Sequence, residues 1–184
     1  MRIIICENYE KMSKRAAKLV AAQVLLNPQS VLGLATGSTP VGMYNELISM
    51  YRAGELDFSQ VKTFNLDEYY PIKRDNEQSY FKFMYKNLFS EINIDLYNTH
   101  FPDGETDNPV SECENYEKLI AQSGGIDLQI LGIGQNGHIG FNEPDVNLNP
   151  YTHLTNLTEN TIRANSRFFE VYDEVPRKAL TMGI

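Results

Sequence analysis

The stretch SVLGLATGSTPVGMYNELISMYRAG (residues 30–54) has the features of a strand, a turn and a helix, in that order. The apolar run 30–36 predicts a strand. Small residues then form a turn, and a helix is predicted over 39–54, with Thr39 as a plausible N-cap and Gly54 marking its end. This segment is therefore one strand–turn–helix unit, the building block of an α/β protein.

The same alternation continues on both sides of this unit. Further strands are predicted over 2–6, 61–66, 126–134 and 153–157, and further helices over 9–26, 79–89, 110–125, about 159–166 and 176–184. Such alternation favours an α/β fold with a mostly parallel sheet. In sheets of this kind, ligands bind beyond the carboxyl ends of the strands.

Composition narrows the class of protein. The 184 residues, 42% of them hydrophobic, fit a single domain over 1–184 with a real core. Apolar runs are too short to cross a bilayer and the N-terminus has no signal-peptide pattern, so a soluble cytoplasmic protein without a membrane partner is expected. Cys6 and Cys113 are expected to be free thiols. The net charge of −8 argues against general nucleic-acid binding but allows a small anionic ligand.

The turn in GLATGSTP (33–40) is a candidate anion site. Backbone N–H groups at a helix start point outward, and the helix dipole favours an anion there. The hydroxyl groups of Ser38 and Thr39, beside Gly37, add donors. The stretch lacks the Gly-Lys of a Walker motif, and an ordinary well-capped turn remains the alternative.

Two carboxylates follow the predicted strand 61–66. Asp67 and Glu68 lie in FNLDEYYP (64–71), at the strand end where sites form in α/β proteins. A carboxylate there can act as a general base. The alternative is a helix cap or a solvated turn.

A histidine stands in the glycine-rich stretch GIGQNGHIGFNEP (132–144), directly after an apolar run. His138, with Gly137 beside it, can exchange a proton near neutral pH. Glu143 can orient its ring, and Asn136 adds a neutral donor and acceptor. A solvated surface histidine is the alternative, and a metal site is not expected from one histidine and one carboxylate.

Two arginines lie four residues apart in TIRANSRFF (161–169). Arg163 and Arg167 share one face if the helix continues that far. The planar guanidinium suits phosphate, and a solvated cationic face is the alternative.

Together, LGLATGSTP, FNLDEYY, GIGQNGHIGFNEP and NSRFF resemble the signature segments of the glucosamine-6-phosphate deaminase family, in its order and spacing. The resemblance implies a Rossmann-like fold, a mostly parallel sheet with helices on both faces. It also implies conversion of glucosamine 6-phosphate to fructose 6-phosphate with release of ammonia, without metal or organic cofactor.

The resemblance also assigns roles to the residues. Asp67 matches the proton acceptor of the isomerising step. His138 matches the histidine that opens the sugar ring, and Glu143 matches the glutamate that supports it. The position of Asn136 is Asp in some members of the family and Asn in others, so the surroundings of His138 are expected to carry one charge less here. The substrate-binding residues are expected to be Gly37, Ser38, Thr39, Gly137 and Arg167.

Two departures from the family pattern are visible. Members continue beyond residue 184, with a phosphate-binding lysine in that part, and the predicted helix 176–184 has no stop signal, so a C-terminally truncated chain is expected. The segment 145–157 has no Lys or Arg, which argues against allosteric activation by an anionic sugar there.

The chain is expected to be a monomer or small homo-oligomer. Lactone hydrolysis on the same scaffold, or a non-catalytic sugar-phosphate sensor, are the alternative functions.

Overall fold

The computed structural model describes residues 2–134, 136–144, 148–169 and 171–184 of the chain, with the backbone alone for Phe168. Residues 145–147, the start of the segment where no allosteric anion site is expected, lie outside the described residues. Within the described residues, no helix is both long enough and apolar enough to span a membrane.

Seven strands and five α-helices make up the part of the chain that the structure describes. The strands are β1 (Val31–Leu34), β2 (Lys62–Asn65), β3 (Asp67–Tyr70), β4 (Thr99–His100), β5 (Leu128–Gln129), β6 (His153–Asn156) and β7 (Lys178–Thr181). The helices are α1 (Tyr9–Leu26), α2 (Ser38–Arg52), α3 (Tyr80–Asn87), α4 (Pro109–Gln122) and α5 (Glu159–Asn165), with a 3₁₀ turn over Ser166–Phe168 after α5.

Four parallel strands form the central sheet, in the order β4-β2-β1-β5. Helices α1 and α2 pack on one face, against a core that includes Val20, Leu34 and Leu47. Helix α4 covers the other face, where Tyr116 packs against Phe64. The predicted α/β fold with a mostly parallel sheet and helices on both faces is confirmed.

A second sheet of three antiparallel strands, in the order β3-β7-β6, adjoins the first. The helix predicted over 176–184 is wrong, because Lys178–Thr181 is strand β7, the middle strand of this sheet. Its residues Ala179 and Leu180 are fully buried between neighbours on both sides. Strand pairing on both edges therefore overrides the local helical pattern of this segment.

Two predicted strands are absent or short. Residues 2–6 form no strand, and Ile3 and Ile5 are 73% and 93% exposed, because no described strand pairs with them. In the run 126–134, only Leu128–Gln129 pairs with β1 as a strand, and the backbone leaves the sheet after Ile130. An apolar run without a pairing partner does not form a strand, whatever its propensity.

Candidate active site

The loop between β1 and α2 starts at the carboxyl edge of the central sheet. The N-cap of α2 is Gly37, with φ of 101°, so the predicted N-cap at Thr39 is wrong. A left-handed φ suits glycine, and because this residue has no side chain, no side-chain hydrogen bond closes the helix start. Ser38 and Thr39 are exposed in the first turn. The turn thus presents amides and hydroxyls to solvent in the arrangement that anions bind.

A tyrosine hydroxyl from α1 contacts the backbone of this first turn. The amide of Gly42 donates to Oη of Tyr9 (2.8 Å), and that hydroxyl lies 3.1 Å from the carbonyl oxygen of Ser38 and 3.0 Å from that of Thr39. Tyr9 therefore ties the candidate anion turn to a different helix.

Asp67 is a buried carboxyl at the start of β3. Its side chain is 6% exposed, and burial raises its pKa to about 8, with the charge of Glu68 adding to the rise. Asp67 follows strand β2, as predicted from the sequence, and it also begins strand β3. A carboxyl with so high a pKa is a proton carrier suited to neutral pH.

Glu68 serves a different purpose. Its carboxylate accepts the amides of Tyr80 (2.9 Å) and Phe81 (3.1 Å) in the first turn of α3. Burial raises the pKa of Glu68 to about 7 despite these bonds. The helix-cap alternative is therefore correct for Glu68, while Asp67 makes no such cap among the described residues.

Strand β7 joins Asp67 to the glycine-rich loop. Asp67 pairs with Thr181, whose hydroxyl accepts the amide of Phe141 at 3.2 Å. On the same side, Nδ2 of Asn142 donates to the carbonyl oxygen of Met182 at 2.7 Å. Thr181 at the end of β7 and Met182 directly after it thus hold the loop that carries His138.

The imidazole of His138 is confined by the loop's own backbone. The amide of Gly134 donates to the carbonyl oxygen of His138 at 2.8 Å, and the amide of Gly137 donates to that of Gly134 at 2.9 Å. A Cβ placed on Gly134 would lie 2.3 Å from Nε2 of His138. Since that is far inside contact distance, only glycine at 134 lets the ring take this position.

Glu143 is the acceptor at the centre of the loop. Its Oε2 receives a hydrogen bond from Nδ2 of Asn136 (2.5 Å) and lies 3.5 Å from Nδ1 of His138. That approach lacks hydrogen-bond geometry, and Nδ1 is buried without another partner among the described residues. Contacts of this kind often tighten only when substrate binds. The solvated-surface alternative for His138 is wrong, since the ring is half-buried against a carboxylate.

Two threonines hold the other oxygen of Glu143. Oγ1 of Thr161 donates to Oε1 at 2.5 Å, and Oγ1 of Thr158 donates to it at 3.0 Å. Burial alone would raise the pKa of Glu143, but the hydrogen bonds from Thr161, Asn136 and Thr158 outweigh it and lower that pKa. The carboxylate is therefore held in its charged form beside the imidazole.

The two arginines do not share a helix face. Helix α5 ends at Asn165, so Arg163 lies in the helix, 3.7 Å from Glu159, and Arg167 lies in the 3₁₀ turn that follows. Arg167 is exposed. Two residues on, Phe169 packs edge-to-face on Tyr69 of β3, with ring centroids 5.9 Å apart. The turn that carries Arg167 therefore lies near the strand that carries Asp67.

The structure brings Asn136, His138 and Glu143 into direct contact. Asp67 is linked to them through Thr181, and the turn 37–39 follows the strand beside β2. A separate cavity of about 400 Å³ between α2 and α3 contains none of the predicted site residues. Its cations Arg52 and Lys86 are already paired with Glu91 and Glu77.

Sequence reasoning missed the residues that support the site, namely Tyr9, Gly134, Asn142, Thr158, Thr161 and Thr181. Only one of them had a readable signal. Thr158 stands directly before a predicted helix, as an N-cap does, but that pattern does not indicate a contact with Glu143. Gly134 lies in the glycine-rich stretch itself, four residues before His138. The remaining four residues act across 18 or more residues of sequence.

The family model described as "Glucosamine-6-phosphate isomerases/6-phosphogluconolactonase" matches residues 7–141. The whole chain is 61% identical to a glucosamine-6-phosphate deaminase of Halothermothrix orenii and 59% identical to one of Clostridium botulinum (strain Loch Maree). It covers 76% and 75% of these two relatives, about three quarters of their length.

Solved structures agree with the sequence matches. A protein described as a monomeric glucosamine-6-phosphate deaminase superposes with a TM-score of 0.97 at 43% identity, over all of this chain and 76% of its own. A 6-phosphogluconolactonase from Thermotoga maritima superposes with a TM-score of 0.71 at 22% identity, over 98% of this chain and 75% of its own. At that identity the second likeness concerns the fold alone.

Proposed function

Because the chain belongs to the glucosamine-6-phosphate isomerase and 6-phosphogluconolactonase family, we propose that it converts glucosamine 6-phosphate to fructose 6-phosphate and ammonia. The observation that carries this proposal is the pairing of a buried, neutral-pH proton carrier, Asp67, with a separate histidine–carboxylate pair, His138 and Glu143. Opening a sugar ring and moving a proton between adjacent carbons need two such groups.

The substrate's phosphate anchors on the turn Gly37-Ser38-Thr39 and on Arg167. These groups offer amides, hydroxyls and a guanidinium, the donors that phosphate prefers. Gly137, exposed beside the histidine, contacts the sugar through its backbone. Anchoring at the phosphate orients C1 and C2 of the sugar against the proton-handling groups.

Ring opening is the task of His138. The imidazole takes the proton of the C1 hydroxyl and returns a proton to the ring oxygen, which gives the open-chain aldehyde. Glu143 stabilises the transient imidazolium across the 3.5 Å approach to Nδ1. Asn136 helps to hold the carboxylate in place and adds no charge of its own.

Isomerisation is the task of Asp67. In its ionised form it removes the proton from C2 while the aldehyde oxygen gains one, so that an enolamine forms, and it then returns the proton to C1. A base whose conjugate acid has a pKa of about 8 is well matched to this exchange near neutral pH. Water then adds to the C2 imine and ammonia leaves, which gives the ketone of fructose 6-phosphate. The bond to nitrogen is thus broken by hydrolysis.

The expected setting is the cytoplasm, with a sugar phosphate as the small-molecule partner and a monomer or small homo-oligomer as the working form. The acidic composition supports a soluble protein without nucleic-acid partners. The structural neighbour described as monomeric supports activity without a second subunit.

An assay for two products separates this proposal from lactone hydrolysis. The protein is incubated with glucosamine 6-phosphate while ammonia is measured, and separately with 6-phosphogluconolactone while acid release is measured. We expect ammonia release and no lactone hydrolysis above the uncatalysed rate. Lactone hydrolysis without ammonia would replace the proposal, and tight sugar-phosphate binding without either product would indicate a sensor.

A further inference from the structure

Two hydroxyls at the start of helix α5, one from its N-cap Thr158 and one from Thr161 in its first turn, reach the carboxylate of Glu143 in the histidine loop. Thr158 and Thr161 both donate to Oε1 of Glu143, and Thr161 is 6% exposed. The opposite oxygen, Oε2, receives Asn136 and faces Nδ1 of His138. The carboxylate is thus held at one oxygen by the helix and offers the other to the imidazole.

The hydrogen bonds to Oε1 of Glu143 determine how Oε2 faces the imidazole of His138. The last torsion of a glutamate side chain is broad, so a carboxylate without fixed donors samples many orientations. Two hydroxyls on Oε1 select the orientation in which Oε2 points at Nδ1. Without them the charged oxygen can turn away from the imidazole, since Asn136 is an exposed loop residue.

The hydrogen bonds from these two hydroxyls to Glu143 are not needed to form helix α5. Thr158 already caps α5 by accepting the amide of Thr161. A threonine inside a helix can satisfy its hydroxyl on the carbonyl oxygen four residues earlier. Thr161 donates to Glu143, 18 residues away in sequence, so the bond joins two segments rather than closing one.

We propose that Thr161, assisted by Thr158, is a positioning residue for ring opening, because it fixes the Glu143 carboxylate against His138. The inference rests on the proposed deaminase function. The same helix leads directly into the turn of Arg167, so one element orients the ring-opening pair and carries a phosphate anchor.

The experiment compares Thr161→Val with Thr161→Ser in the deaminase assay. Valine keeps the shape and removes the hydroxyl, whereas serine keeps the hydroxyl and removes a methyl group. A hydrogen bond to a charged group is worth about 1.5–3 kcal/mol. We therefore expect kcat on glucosamine 6-phosphate to fall about 10- to 100-fold in Thr161→Val, with KM nearly unchanged, and serine to restore kcat to within about threefold of wild type.

A second substrate separates positioning from general damage. An analogue without the hydroxyl groups at C4 and C5 stays an open-chain aldehyde and needs no ring opening. Thr161→Val should turn over this analogue at nearly the wild-type rate. Equal losses on both substrates, or equal losses for valine and serine, would overturn the inference. If Thr161→Val does not fold, Thr158→Gly is compared with Thr158→Ser, because glycine is tolerated at an N-cap.

Failure of the two proposals can be told apart. A wild-type protein that releases no ammonia rejects the proposed function and this inference with it. A wild-type protein that releases ammonia, beside a Thr161→Val protein of unchanged kcat on the closed-ring substrate, rejects the inference alone.

Discussion

Gly134 lies directly against the imidazole of His138, so that a Cβ on Gly134 would stand 2.3 Å from Nε2. Gly132, two residues earlier in the same loop, has open space where its Cβ would be. The two glycines therefore form a matched pair in which only one confines the histidine.

The substitution Gly134→Ala should displace the ring of His138 from its place beside Glu143. We expect a loss in kcat of about 10²-fold or more, in line with the general acid–base contribution of a positioned side chain. Gly132→Ala should keep kcat within about twofold, since its new methyl group meets nothing. Ammonia-release kinetics on both proteins test this. Equal activities would show that the glycine at 134 does not set the ring position.

The substitution Asp67→Asn should stop isomerisation and leave the fold intact. The amide has the same shape as the carboxyl but cannot take a proton from carbon, so turnover should fall about 10²- to 10⁴-fold. Circular dichroism measures whether the fold is intact, and the release of ammonia measures turnover. Wild-type turnover in Asp67→Asn would remove Asp67 from its proposed role.

The same variant should change how stability depends on pH. Burial raises the pKa of Asp67 to about 8 in the folded protein from an ordinary value of 3.8, so between these values the folded state holds a proton that the unfolded chain has lost. Wild-type stability contributed by this group is therefore complete below about pH 4 and declines as the pH rises toward 8, by at most ~1.4 kcal/mol per unit.

Thermal unfolding of wild type and Asp67→Asn across pH 4–8 tests this sign. The asparagine at position 67 cannot ionise, so the melting temperature of the variant should increase relative to that of wild type as the pH rises. The exposed Asp75 supplies the control, and Asp75→Asn should show no such trend. A melting-temperature difference that is constant with pH would contradict the buried, protonated state of Asp67.

Tyr9→Phe should weaken the anchoring of the phosphate. Without the hydroxyl, the amide of Gly42 and the carbonyl oxygens of Ser38 and Thr39 lose their shared partner and the first turn of α2 changes shape. A lost hydrogen bond is worth about 0.5–1.5 kcal/mol net, so KM should rise roughly 2- to 10-fold with kcat nearly constant.

The control for Tyr9→Phe is Tyr97→Phe, because the side chain of Tyr97 is almost fully exposed and lies outside the site. Steady-state kinetics and competitive inhibition by inorganic phosphate measure the effect. An unchanged KM together with an unchanged phosphate inhibition constant in Tyr9→Phe would show that the Tyr9 hydroxyl does not support the anion turn.

Local sequence patterns were enough to predict helix α1 and the end of helix α2. The helix predicted over 9–26 forms as α1 (Tyr9–Leu26), and Gly54 follows α2 with φ of 76°, as a helix stop does. Both depend on residues close in sequence. The predictions for Lys178–Thr181 and for residues 2–6 were wrong for the opposite reason. Whether a segment forms a strand depends on pairing partners far away in the chain.

The sequence by itself determined the α/β class, the family, and the candidate groups Asp67, His138 and Glu143, because these follow from periodicity and from motifs of adjacent residues. Only the tertiary structure decided how those groups are held. The buried, proton-retaining state of Asp67 and the threonine bonds to Glu143 arise where segments of distant sequence pack together. Desolvation and hydrogen-bond partners are properties of that packing, so no local pattern could give them.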